Sequence, residues 1–176
     1  MFIHKVNETI ALKLPEKRDA NSLLEIVNTN RAEFGRWLPW AKEIFSINDE
    51  RAFIKNGLQR MAAGTFWFAI ILYQDEIAGV LDLHQINHEN RRCQIGYWLA
   101  GRFQGRGIMT ASVREVEAIA FHDLNMNRIE IMADEHNQKS RNVAERRDFH
   151  LDGILKQYAF YNDQFRDMAL YSKLRQ

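Results

Sequence analysis

The sequence has little cysteine, little proline and no surplus of charge of either sign. A single cysteine, Cys93, in 176 residues excludes an intramolecular disulfide and a cysteine-built zinc or iron–sulfur cage within one chain. It fits a reducing, cytoplasmic setting. The two prolines, Pro15 and Pro39, lie in the first quarter, and no repeat, low-complexity tract or Gly/Ser linker interrupts the chain, so one domain over 1–176 is expected. The longest unbroken apolar run, Phe66 to Tyr73, is far short of the ~20 residues of a membrane helix. The first fifteen residues lack the charged-then-apolar order of a secretory leader. Lys plus Arg number 24 against 23 Asp plus Glu, a net charge of +1, which leaves no global field to draw nucleic acid or an anionic membrane. What the chain does have is 46% apolar residues, enough for a core that buries roughly 70% of the unfolded surface.

Periodicity sets the plan. Thr9 to Leu14 alternates as a strand, and Arg18 to Asn28 carries Ala20, Leu23, Leu24 and Val27 at helical spacing. Trp37-Leu38-Pro39-Trp40 breaks the pattern before a second helix, capped near Ser46 or Asn48-Asp49, runs to about Met61. Three strands follow as an antiparallel meander: Thr65 to Tyr73, Ile77 to Ile86 and Arg91 to Leu99. Met109, Val113, Val116, Ala120 and Leu124 mark one face of a covering helix. A strand at Arg128 to Ala133, a helix at Ser140 to Arg147 and two strands about an Asn162-Asp163 turn complete an α+β, mostly antiparallel chain.

The segment that carries chemistry is the strand ending Ile95-Gly96-Tyr97-Trp98-Leu99, the loop with Gly105 and Gly107, and the helix after it. Glycines let backbone approach a ligand closely, and free N–H groups at a helix N-terminus attract an anion, here a diphosphate. A tight turn with a relaxed helix start is the plain alternative. A dinucleotide fingerprint would need glycine or alanine at Thr110, and no Gly-Lys-Ser/Thr follows for a P-loop.

Gln104-Gly105-Arg106-Gly107-Ile108-Met109 resembles the Gln/Arg-x-x-Gly-x-Gly/Ala phosphate-binding motif of the GNAT superfamily of acetyl-CoA-dependent N-acetyltransferases, with Met109 departing from the final small residue. Arg36-Trp37-Leu38-Pro39-Trp40, Ile95 to Leu99, and Asn137-Gln138-Lys139-Ser140 with Val143-Ala144-Glu145-Arg146 resemble its RimJ/RimL branch, so the likeness spans nearly the whole chain. It implies a mixed, mostly antiparallel sheet of about seven strands with about four helices, splayed between the fourth and fifth strands. Acetyl-CoA, with no metal, would lie against Tyr97, Trp98 and Leu99, with its diphosphate on Gln104 through Met109.

The likeness also implies roles. Ser140 would stand near the CoA sulfur and serve the departing thiolate, although a serine at such a boundary also caps helices. Asn137 would hold the pantetheine amides or act as a cap or turn residue. Arg146, in a basic cluster with Lys139, Arg141 and Arg147, would meet CoA phosphates, or the cluster is a wet helix face. Trp37 and Trp40 would wall the acceptor site, or serve as core. Many superfamily members carry a tyrosine acid where this chain has Ala144, and Gln94 and Ala159 stand where carboxylate bases occur. An acceptor needing little help is thereby favoured. An α-amine with a pKa near 7.8 is roughly a quarter neutral at about pH 7.4, and a lysine amine near 10.4 only on the order of 0.1%. The expectation is direct attack by the N-terminal α-amine of a ribosomal or other cytoplasmic protein. Deprotonation would run through water and His84, or His84 is an ordinary strand histidine. Polyamines or aminoglycosides are the alternative acceptors, and a non-catalytic acyl-CoA-binding regulator is the alternative class. A homodimer through the exposed C-terminal strands follows from edge-strand logic. Arg147-Asp148-Phe149 replaces the family's Leu-Gly-Phe, which predicts a locally altered turn there.

Overall fold

A computed structural model describes residues 2–176. The chain order is β1 (Ile3–Lys5), β2 (Ile10–Lys13), α1 (Ala20–Trp37), α2 (Ile47–Ala62), β3 (Trp67–Tyr73), β4 (Glu76–Asn87), β5 (Arg92–Leu99), α3 (Ile108–Ala118), β6 (Arg128–Asp134), α4 (Gln138–Arg146), β7 (His150–Tyr161) and β8 (Gln164–Leu174). The strands form one sheet in the order β1-β2-β3-β4-β5-β6-β8-β7, with every pair antiparallel except β5–β6. The sheet has eight strands rather than seven. The extra one, β1, is three exposed residues without an apolar face and left no alternating pattern to read.

Two hairpins close as their turn residues dictate. Gln74-Asp75 and Asn162-Asp163 both take positive φ, the mirror-image turn that matches strand twist. β3 is apolar throughout because both of its faces are covered. One face packs Ile70, Leu72 and Val80 against Leu23 of α1 and Ile54 of α2, and the other packs Leu81, Leu83 and Ile95 against Ile108, Val113 and Val116 of α3. Ser46 begins α2 with a capping box, its Oγ accepting from the Asp49 N–H at 3.2 Å while Asp49 accepts from the Ser46 N–H at 2.8 Å.

α2 also buries a carboxyl. Glu50 is 4% exposed, and burial, with the charge of Asp49 second, pushes it up to about 7 from 4.5. A raised acid binds its proton more tightly in the native chain than in the unfolded one. Its contribution to stability is therefore full below pH 4.5 and is lost as pH rises through about 7. Glu50→Gln is expected to be more stable than the parent at pH 8 by on the order of 2 kcal/mol, after a discount for water reaching the carboxyl, and equal to it near pH 4. Urea melts of both proteins at pH 4 to 8 measure the difference; a constant gap would show that the site does not titrate in that window.

α4 ends as a Schellman motif: the Phe149 N–H bonds the Ala144 carbonyl at 3.0 Å and the Asp148 N–H that of Glu145 at 3.1 Å. Asp148 takes the left-handed place, φ 57°, that glycine would fill without strain. The expected alteration is thus one of residue, with a left-handed helix ending kept. Asp148→Gly is expected to stabilise the protein by about 0.5–1 kcal/mol, a rise in Tm of roughly 1–4 °C.

Candidate active site

Parallel pairing between β5 and β6 covers only Arg92–Gln94 against Arg128–Glu130. Beyond Gln94 and Glu130 the strands part, β6 turning to β8 and β5 remaining bound to β4 alone as far as Leu99. Every other residue of Ile95 to Leu99 then turns its N–H and C=O toward the gap, where these groups require partners; the Leu99 carbonyl already accepts from Gln104 Nε2 at 3.1 Å. The gap opens into a cleft of about 1120 Å³.

The loop at the end of β5 completes one side. Gly105 and Gly107 have φ of 76° and 74°, and a Cβ on either would meet nothing within 4 Å, so open space lies over a backbone that only glycine adopts easily. Gly107 caps α3 without a side-chain bond, and the first intrahelical bond runs from the Ala111 N–H to the Gly107 carbonyl at 3.0 Å. The N–H groups of Ile108, Met109 and Thr110 precede it and lack helical partners. Met109 is buried in the core, so the long side chain that departs from the motif turns inward and leaves the loop open.

Register divides the cleft. Residues opposite one another share a face, so Tyr97 with Leu81 points to the α3 side, whereas Val80/Trp98, Asp82/Gly96 and His84/Gln94 point to the α1 side. On the α3 side, Tyr97 Oη lies 3.0 Å from Ser140 Oγ and 3.1 Å from the Ser140 carbonyl. Burial pushes the Tyr97 hydroxyl up to about 12, which keeps it protonated at physiological pH. Ser140 does not cap α4. Asn137 does, accepting from the Ser140 N–H at 3.3 Å, so the plain alternative holds for Asn137 and fails for Ser140.

On the α1 side, Trp98 packs against Phe34 and Trp40 at ring separations of 5.2 and 6.2 Å. Trp40 is thus both partly buried core and cleft wall, while Trp37 borders the cleft with the Arg36 guanidinium 5.3 Å from its ring. His84 Nδ1 is 2.7 Å from Asp82 Oδ1. Gln94 is tied to Glu130, its Nε2 donating at 3.1 Å.

Trp37, Trp40, His84, Tyr97, Trp98, Leu99, Gln104, Gly105, Gly107, Ile108, Met109, Asn137, Ser140 and Arg146 all border this one cleft. Arg106 does not: its exposed guanidinium lies 5.8 Å from the Tyr73 ring, leaving only its backbone for the loop. Sequence reading missed two side chains, Asp82 and the Tyr97 phenol. Cys93 is buried, and burial holds its thiol up at about 12, so it is not a nucleophile. Among the described residues no group of three or more His, Cys, Asp or Glu stands where it could hold a metal, and no helix is long and apolar enough to cross a membrane.

A splayed parallel pair, a glycine loop aimed into it and a helix N-terminus behind the loop define an acyl-CoA-dependent N-acetyltransferase. The family described as Acetyltransferase (GNAT) domain matches residues 9–150, and the chain belongs to that family. It is 36% identical to the Bacillus subtilis (strain 168) protein named "Putative ribosomal N-acetyltransferase YdaF", over 99% of this chain and 96% of that one. Among solved structures, RimL, a ribosomal L7/L12 alpha-N-protein acetyltransferase in complex with coenzyme A, superposes with a TM-score of 0.95 at 29% identity, covering 98% of each chain. The microcin C7 self immunity acetyltransferase MccE, in complex with acetyl-CoA and AMP, superposes at 0.92 and 31% identity, covering 97% of this chain and 95% of that one.

Proposed function

We propose that this N-acetyltransferase carries the acetyl group of acetyl-CoA to the N-terminal α-amine of a ribosomal or other cytoplasmic protein, by direct attack. The observation that carries the reading is the end of β5–β6 pairing at Gln94 and Glu130, which leaves the β5 edge unpaired beside the glycine loop.

Acetyl-CoA supplies an activated acyl thioester, and the residues present fit it. Main-chain N–H groups from Gly105 to Met109 would hold its diphosphate, the Gln104 N–H being bonded to the Gly101 carbonyl at 3.1 Å, with the exposed Arg146 as a further cation. The free edge at Tyr97 to Leu99 would pair with its amides, as would the Asn137 NH2 group, since only the Asn137 oxygen is engaged in capping. An N–H of the same edge stabilises charge developing on a carbonyl oxygen. Ser140, backed by the protonated Tyr97, gives a proton to the departing thiolate. From the opposite face, between Trp37 and Trp40, the acceptor amine enters and His84 takes its proton.

The α-amine is favoured over lysine because the carboxylates lining the cleft are each engaged, Glu33 with Lys139, Asp134 with Tyr161 and Asp82 with His84, which leaves one imidazole as base, and an α-amine needs less deprotonation. Likeness to a ribosomal alpha-N-protein acetyltransferase over 98% of both chains supports the same acceptor class. The test is acceptor-dependent CoA release with N-terminal peptides against spermidine and aminoglycosides. It is joined to mass spectrometry of ribosomal proteins from cells with and without the gene. Turnover confined to the small amines would replace the acceptor.

A further inference from the structure

We propose that Asp82 is a positioning residue that fixes the tautomer and direction of His84, an inference that rests on His84 being the proton acceptor. Three features of the strands converge on this pair. Asp82 and His84 are two apart on β4, so both project on the α1 face, and Asp82 Oδ1 lies 2.7 Å from His84 Nδ1. Directly across in register is Gly96, and a Cβ built there would lie 2.9 Å from Asp82 Oδ2 and 3.0 Å from Oδ1. The carboxylate therefore rests on bare backbone, in space that any other residue at 96 would fill. Glycine in a strand interior weakens the strand and marks a close approach, and here the approaching group is Asp82. Immediately past His84 the β4–β5 register shifts, with Gln85 at φ 49°, an irregularity of the kind that re-aims a side chain and ends regular pairing.

The chemistry follows from donor counting. A carboxylate only accepts, and a neutral imidazole donates from one nitrogen and accepts at the other. Asp82 therefore places the imidazole proton on Nδ1 and leaves the Nε2 lone pair free for the acceptor. As the amine nitrogen bonds to the acyl carbon, its N–H proton passes to Nε2. The thioester carbon–sulfur bond breaks and CoA leaves as the thiolate, which takes a proton from Ser140, the serine regaining one from solvent. The imidazolium formed is stabilised by Asp82 until it releases its proton to solvent. The neighbouring carboxylates are already engaged: Glu33 of α1 with Lys139 of α4 at 2.8 Å, Asp134 of β6 with Tyr161 of β7, and Glu130 of β6 with Arg128 at 2.6 Å. None of them is bonded to His84.

The test combines kinetics with long-range 1H–15N spectra of His84. Asp82→Ala is expected to lower kcat by roughly 10–100-fold, with the acetyl-CoA dissociation constant within about twofold of the parent. Asp82→Asn, whose amide oxygen still accepts from Nδ1, keeps more activity than Asp82→Ala. Because Asp82 acts through His84, the double variant Asp82→Ala/His84→Ala should be no slower than His84→Ala. The spectra should show a proton on Nδ1 in the parent and its redistribution toward Nε2 in Asp82→Ala. If His84→Ala keeps full kcat, the reading of His84 as base falls and the positioning role with it. If His84→Ala is slow but Asp82→Ala is not, or the tautomer is indifferent to Asp82, only the inference about Asp82 is overturned.

Discussion

Replacing Ser140 with alanine is expected to lower kcat on the order of 100-fold while leaving acetyl-CoA affinity within about twofold. Ser140 lies in α4, where its side chain has no capping duty, and its hydroxyl faces Tyr97 Oη at 3.0 Å across the cleft. Burial keeps Tyr97 protonated, so the phenol can donate to Ser140 as that hydroxyl gives its own proton to sulfur. Tyr97→Phe should therefore lower kcat too, by roughly 10-fold, since the serine remains but loses its support. Asn137→Ala should behave differently. It removes the N-cap of α4 at about 1 kcal/mol of stability and weakens acetyl-CoA binding more than it slows turnover. Steady-state kinetics and calorimetry on the three variants separate these roles. Equal small effects of Ser140→Ala and Asn137→Ala would return the serine to a structural part.

The contrast between Ser140 and Asn137 shows what a sequence can and cannot carry. Elements whose signal is local were legible: the meander, its turns and the glycine loop each depend on residues within a few positions. The helical spacing of apolar residues in the sequence covers Arg18 to Asn28, with Val27 its last apolar position. In the fold the helix continues to Trp37, with Asn30 Nδ2 donating to the Ile26 carbonyl and its oxygen accepting from the Gly101 N–H at 2.9 Å. Asn30 thus ties the helix to the loop after β5. Within the site, the glycine loop and the histidine could be read because backbone freedom and imidazole chemistry belong to single residues. Tyr97 with Ser140, 43 positions apart, could not, because their meeting depends on how α4 docks over β5. Asp82 was readable in principle, as an Asp-x-His pair at strand spacing. Alternation alone does not say that its polar face lines a cleft rather than solvent.

The second large effect concerns Arg147, the residue standing where the family has leucine. Its guanidinium makes a two-pronged pair with Glu117 of α3, Nε to Oε1 and Nη2 to Oε2, both at 2.9 Å, and that partner holds the arginine above its usual range. Glu117 is 4% exposed, and Lys173 of β8 reaches the same carboxylate and the Arg147 carbonyl, each at 2.8 Å. One buried carboxylate thus ties α3, the end of α4 and β8 together at the edge of the cleft, which Arg147 itself lines. Arg147→Leu restores the family residue at 147 but leaves Glu117 with lysine alone, and removing one member of a buried pair is the costly operation. The expected loss is about 3 kcal/mol, a fall in Tm of roughly 6–12 °C. Adding Glu117→Gln should recover part of it, because a buried carboxylate that has lost two of its three charged hydrogen bonds is replaced by a neutral amide, while Lys173 keeps the carbonyl of residue 147. Thermal melts of the single and double variants measure both steps. If Arg147→Leu costs under about 1 kcal/mol, or the second change deepens the loss, Lys173 alone neutralises the carboxylate and the arginine is a surface substitution.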